Sequence, residues 1–263
     1  MALQQSFEKS GNFLFKHRGQ IPVLIFLLAI PILIYSNPDL YLRLFVGQRQ
    51  TLRVILTVVA FLTTLSGLVL RAYTVCTTPK GTSGRNTDKQ VAKQLNTTGI
   101  YSVVRHPLYL ANYLIWAGIL IFTMNIWAFI IVSLLYWLYY ERIMFAEEAY
   151  LRQQFGDAFE RWAENVPAFV PQWSLFEKGN MKFSVKTFIR REYATIYSAI
   201  FSYVLADYLI FLLTDVRFHG WTVPAAAWLR ASLYILAACT LLLVAIHLIK
   251  HHTRWLEADV TRD

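Results

Sequence analysis

Charge is what this 263-residue chain is short of: Asp, Glu, Lys and Arg make up 16% of it, against about a quarter in ordinary soluble domains. A water-soluble globule of this size needs more polar surface than that, so the deficit argues against one. Cysteine is scarce as well. Cys76 and Cys239 stand alone, with no Cys-x-x-Cys spacing, which removes a disulfide framework and a cysteine metal site from consideration. There is no internal repeat, no low-complexity tract and no cleavable signal pattern: 21–35 lacks small residues at a cleavage position and reads as a retained anchor.

What fills the chain is apolar sequence in blocks. Hydrophobic residues make up 56% and aromatics 16%, clustered in runs rather than spread at helical period, as lipid-facing segments require. Six candidate spans follow: 21–35, 54–70, 108–124, 126–140, 194–213 and 228–249. The expected fold is all-α and polytopic, with about six transmembrane helices. Of the 25 Lys and Arg residues, only Arg43, Arg49, Arg53, Arg217 and Arg230 fall on one side of such a bundle. The positive-inside rule then puts both termini and the segment 99–111 in the cytoplasm. The net charge of +9 is accounted for by topology and anionic lipid, so no nucleic-acid partner is expected.

Three parts can be marked off. Residues 1–53 hold a mixed aromatic and basic stretch, 6–19, that suits a helix lying in the membrane interface, followed by the first span. Residues 54–171 form a central core, and 172–263 hold a basic linker and two further spans. Within the core, 108–124 and 126–140 are almost contiguous, predicting a tight helical hairpin. Beyond Tyr140 the helical pattern continues with growing charge, so the fourth span should leave the membrane as one long helix. Gly156 is expected to interrupt it, and Pro167 and Pro171 to end the segment.

The segment 99–111, Gly-Ile-Tyr-Ser-Val-Val-Arg-His-Pro-Leu-Tyr-Leu-Ala, places an Arg-His-Pro triplet where a polar loop meets an apolar run. Proline fits the first turn of a helix, and the free N–H groups of that turn favour an anion. On a continuous helix, Glu147 lies roughly 10 Å past Tyr140. The hairpin therefore brings Tyr101, Arg105, His106 and Tyr109 to the same rim as Glu147 and Glu148. Arginine, histidine and a helix start suit a carboxylate or phosphate, whereas glutamate suits an amine, a ribose hydroxyl or a positive centre. S-adenosylmethionine, with its carboxylate and its sulfonium cation, offers all of these.

The triplet and Tyr109 resemble the Arg-His-Pro-x-Tyr signature of the isoprenylcysteine carboxyl methyltransferase family of integral-membrane enzymes. Glu147-Glu148-Ala-Tyr-Leu-Arg-Gln-Gln-Phe-Gly, followed by Val166-Pro167 and Pro171, resembles its second signature. The resemblance covers about 54–171. It implies methyl transfer from S-adenosylmethionine to a lipid-borne group, with the cofactor entering from the cytoplasm. By the same resemblance, His106, Pro107, Tyr109 and Glu147 or Glu148 help form the cofactor pocket, to which Tyr101 is added, and Arg105 faces the acceptor as the catalytic residue. No Gly-x-Gly fingerprint follows a strand pattern, so the common soluble methyltransferase fold is not available.

Asn165 stands where carboxyl methyltransferases of the family often carry arginine, pointing away from prenylcysteine itself. The loop 77–98, with Lys80, Arg85, Asn86, Lys89 and Lys93, suits a bulky anionic head group. Arg85 and Asn165 are therefore expected on the substrate side. A phosphate of a lipid such as lipid A, in a bacterial inner membrane, is the expected acceptor. The alternatives are a prenylcysteine or other lipid carboxylate, phospholipid N-methylation, or a non-enzymatic transporter or scaffold. Asp207 is an intramembrane acid and hence a functional candidate, left without a role. His247, His251 and His252 read as an interfacial cluster, with no metal site expected.

Overall fold

The computed structural model describes residues 3–35, 50–79, 90, 92–211, 231–253 and 255–256, and all statements below refer to these. The architecture is all-α. α1 (Leu3–Lys16) is joined by a short turn to 21–35, and the two run at 86° to each other. Segment 21–35 is itself two helices, α2 (Ile21–Leu27) and α3 (Ala29–Tyr35). The break falls where Pro31 lacks an N–H and its ring would collide with the carbonyl of Leu27.

α4 (Gln50–Thr77) contains the expected run 54–70 and extends past it at both ends. α5 (Pro107–Phe122) opens on Pro107, as expected of a first-turn proline. Met124 takes a left-handed φ of 55° in the short turn that follows. Asn125 then caps α6 (Ile126–Phe155) by accepting the Ala128 N–H at 2.9 Å, so the hairpin is as tight as the sequence predicts. At 1.5 Å per residue, α6 is about 45 Å long, well beyond the roughly 30 Å of a bilayer core. Its charged end therefore protrudes. Gly156, at φ 52°, ends it, and α7 (Asp157–Asn165) turns back with Phe159 fully buried. α8 (Val185–Phe211) and α9 (Ala231–His252) complete the bundle.

Four helices are long and apolar enough to cross a membrane: α4, α6, α8 and α9. The bent N-terminal segment makes five if it is taken as one span. The difference from six lies at α5, whose 16 residues reach only about 24 Å. Large apolar side chains on the outer faces are exposed, among them Phe61, Leu62 and Leu65 of α4, Leu134 and Leu138 of α6, and Leu241 of α9. This is an integral membrane protein whose outer faces are built to meet lipid.

Lipid removes most of the hydrophobic drive between helices, so close packing and interhelical hydrogen bonds hold them together. α4 and α5 approach most closely. A methyl group on Gly67 would strike the Ala111 carbonyl and Ile115, and one on Gly118 would strike Thr64 and the Ala60 backbone. Tyr203 of α8 seals the crossing, its hydroxyl meeting Thr64 at 2.8 Å and donating to the Ala60 carbonyl at 3.0 Å. Asp207 accepts from Ser232 of α9 at 3.0 Å, a polar link between the two C-terminal helices. Gly118→Val is expected to lower stability by about 1–3 kcal/mol through overpacking. Gly19→Ala, where an added carbon meets nothing within 4 Å, should leave it unchanged. Thermal unfolding in detergent, followed by tryptophan fluorescence, checks both.

Candidate functional site

The site is assembled at the end of the α5–α6 hairpin. Two segments, 99–106 before α5 and 166–177 after α7, each with a short 3-10 turn at Ile100–Ser102 and Trp173–Leu175, lie side by side and tie the two signature stretches together. Gly99 N–H donates to Glu177 O at 2.8 Å, Gln172 N–H to Val103 O at 2.9 Å, Arg105 N–H to Pro167 O at 2.9 Å and His106 N–H to Ala168 O at 3.1 Å. Ser102 Oγ adds a further link by accepting the Glu177 N–H at 2.8 Å. Val103 and Val104 fill the space beneath, completely buried. The strap fixes where the next three side chains go.

Arg105 reaches across to α6 and α7. Its Nε donates to Glu148 Oε1 at 2.9 Å and its Nη2 to Oε2 at 3.4 Å. Its Nη1 donates to the Ala163 carbonyl and, at 2.9 Å, to the Val166 carbonyl, at the C-terminal end of α7. A planar guanidinium fork can serve these partners together where an ammonium cannot. Every nitrogen of the group is engaged within the protein. His106 sits between the two acids: Nε2 lies 2.8 Å from Glu148 Oε1, and Nδ1 lies 3.7 Å from Glu147 Oε2. Tyr109, one turn into α5, donates to Glu147 Oε1 at 2.7 Å and stacks on the His106 ring. The Tyr136 hydroxyl in turn donates to the Tyr109 carbonyl at 2.8 Å. Burial and the nearby Glu147 charge push the Tyr101 phenol well above its usual range, so it remains a hydroxyl donor. Trp162 Nε1 donates to the Tyr101 carbonyl at 3.0 Å.

These groups wall a cavity of about 390 Å³, within the size range of small-molecule sites. Six of the expected residues, Tyr101, Arg105, His106, Tyr109, Glu147 and Glu148, come together there with Pro107. Asn165 does not: it is exposed, and its amide donates back to the Arg161 carbonyl at 2.7 Å. Arg85 lies outside the described residues. The cavity also has walls that the sequence did not mark, from Arg18 beyond α1, Arg71 of α4, Asn112 of α5 and Tyr140 of α6. Arg18 lies within the mixed aromatic and basic stretch 6–19 and Arg71 is one of the basic residues that set orientation, and nothing in their local sequence says more. Among the described residues, no group of three His, Cys, Asp or Glu side chains is placed to hold a metal ion.

Fold and site together define a polytopic α-helical membrane protein with a charged cavity at the mouth of a helical hairpin. Residues 51–158 match the family model described as phospholipid methyltransferase. The protein-S-isoprenylcysteine O-methyltransferase of Schizosaccharomyces pombe is 38% identical over 78 residues, 29% of this chain and 33% of that one. Protein-S-isoprenylcysteine O-methyltransferase B of Arabidopsis thaliana is 38% identical over 80 residues, 30% of this chain and 40% of that one. The nickel-cobalt-cadmium resistance protein NccN of Alcaligenes xylosoxydans xylosoxydans is 37% identical over 83 residues, 32% and 38% of the two chains. The chain thus spans between a third and two-fifths of the length of these curated relatives. No solved structure matches.

Because Arg105 joins three elements through a fork of hydrogen bonds, Arg105→Lys should not restore what Arg105→Ala removes. A double-mutant cycle of Arg105→Lys with Glu148→Gln should give a coupling on the order of 1–3 kcal/mol in thermal or denaturant unfolding. A coupling near zero would mean that the pair does not hold the site together.

Proposed function

We propose that the protein is an S-adenosylmethionine-dependent O-methyltransferase acting on the oxyanion of a lipid-borne acceptor, with a prenylcysteine-like carboxylate as the leading acceptor class. The observation that carries this reading is the His106–Glu147–Glu148–Tyr109 cluster on the wall of the cavity, within the segment that matches the methyltransferase family model. The names of two relatives favour a carboxylate acceptor. None of the relatives' names points to the lipid A phosphate expected from the basic loop, and that acceptor is kept only as an outcome of the test below.

The donor set fits the cofactor. Carboxylates at Glu147 and Glu148 suit its ammonium and ribose hydroxyls, and the faces of Tyr101, Tyr109 and Trp162 suit an adenine ring and a cationic sulfur. When bound, S-adenosylmethionine supplies an electrophilic methyl group. An acceptor carboxylate is already ionised near neutral pH, so no side chain need remove a proton. The residues act by holding and orienting. Tyr109 fixes the Glu147 carboxylate, and His106 keeps the two glutamates in register. Arg105 holds Glu148 against α7 and acts as a positioning residue, since its own nitrogens are engaged. Orientation of this kind is worth several kcal/mol in a two-substrate reaction, about 7–11 at the upper end. Excluding water from the cavity strengthens each ionic contact inside it. The cavity opens at the bundle end that the Lys and Arg distribution assigns to the cytoplasm, the side from which a soluble cofactor arrives.

Purified protein incubated with radiolabelled S-adenosylmethionine and a total lipid extract should transfer label to lipid, and mass spectrometry of the product should find a methyl ester. A methylated phosphate or amine in its place would reassign the acceptor. Failure to bind S-adenosylhomocysteine at high protein concentration would sink the enzyme reading. Tyr109→Phe and Glu147→Gln should each weaken S-adenosylhomocysteine binding by roughly tenfold or more in calorimetry, the scale of a lost hydrogen bond to a charged group.

A further inference from the structure

At the inner end of the cavity stands a second ionic arrangement, contributed partly by a helix outside the 51–158 match. Arg71 of α4 lines the cavity. Its Nε donates to Glu192 Oε2 of α8 at 2.6 Å, and its Nη1 donates to Asn112 Oδ1 of α5 at 2.7 Å. The third nitrogen, Nη2, has no hydrogen-bond partner among the described residues. Glu192 is 2% exposed and Arg71 19%, so the acid is enclosed while the cation reaches open space. Three helices thus converge on one guanidinium and hold two of its three nitrogens.

We infer that Arg71 is an oxyanion seat in the inner part of the cavity and that Glu192 of α8 is its positioning residue. The geometry separates the cavity chemically. At the rim, Glu147 and Glu148 present negative charge, and Arg105 is already paired with one of them. Further in, beside Tyr140 and roughly 10 Å back along α6 from Glu147, Arg71 presents positive charge with donor capacity remaining. An ion held from behind by a buried carboxylate keeps its orientation with little entropy left to lose when an anion arrives. The ligand chemistry is a carboxylate or phosphate, borne either by the methyl donor or by the lipid acceptor. This assignment gives α8, which also seals the α4–α5 crossing through Tyr203, a part in the site, and it rests on the methyl-transfer reading only for the identity of those two sources.

The test uses full-length protein in phosphatidylcholine nanodiscs and calorimetry in two arms. One compares S-adenosylhomocysteine with its decarboxylated analogue, and the other compares dodecanoate and dodecyl phosphate with dodecanol. Wild-type protein is expected to favour the anion at least tenfold in one arm, and that arm names the source. Arg71→Gln should abolish the preference, Glu192→Gln should reduce it at least threefold, and Glu192→Asp should restore it. Because Arg71→Gln removes the cation paired with the buried Glu192 carboxylate, the neutral pair Arg71→Gln/Glu192→Gln is measured alongside and stands in for it if the single variant does not fold. Wild-type protein without anion preference in either arm, or an unchanged preference in the Arg71 variants, overturns the seat. Loss in the Arg71 variants with full retention in Glu192→Gln overturns the role of Glu192. An Arg71-dependent dodecanoate or dodecyl phosphate preference in a protein that does not bind S-adenosylhomocysteine leaves the seat standing and removes the methyl-donor reading.

Discussion

The contact of Glu148 with Arg105 and His106 is the constraint on which the rest of the site depends. It joins the start of α5 to the protruding end of α6, and through the second face of the guanidinium it also captures the end of α7. In a membrane protein this matters more than in a soluble one. Lipid competes for apolar faces as well as protein does, so the hydrophobic effect does little to choose one helix arrangement over another. Directional, charge-assisted bonds at the membrane edge do the choosing. Once they close, Tyr109 lies under Glu147, the 166–177 segment lies along 99–106, and a cavity is left between them.

The same constraint occupies Arg105 within the protein. An arginine beside a histidine at a membrane edge suggests a group that reaches for an anionic ligand. In the folded protein its nitrogens are taken by a carboxylate and by two carbonyls that α7 would otherwise leave without partners. Helix C-termini carry unsatisfied carbonyls and partial negative charge, which a cation relieves. Arg105 therefore organises the site from the outside. Arg71 on the cavity wall differs from it: residues of α5 and α8 hold two of its nitrogens, and the third has no hydrogen-bond partner among the described residues.

The surrounding bundle frames the cavity by close helix packing. Small residues bring α4 and α5 into backbone contact, and Tyr203 locks that crossing from α8. α1 lies across the end of α6, with Gly11 against the Arg142 carbonyl and the Arg142 guanidinium 3.4 Å from the Phe7 ring centre. This brings Phe15 and Arg18 to the cavity wall. The N-terminal segment and the matched region both line the cavity, and the first C-terminal helix backs it through the contact of Glu192 with Arg71, although the family pattern covers only the middle of the three.

Much of this was legible from residues alone, and the reasons are local. Apolar run length decides whether a helix can cross a bilayer, so the helical hairpin, the overlong α6 and the interruption at Gly156 could be read directly. Spacing along one helix placed Glu147 and Glu148 beyond the membrane, and the order of the two signatures placed Arg105, His106 and Tyr109 opposite them. What remained invisible was which charge pairs with which. Nothing near Asn165 in the sequence says that its amide turns back onto its own helix. Nothing near Arg71 says that an acid on α8, more than a hundred residues away, will hold it. Pairings of that kind are set by how helices pack across space, and only the tertiary structure could decide them.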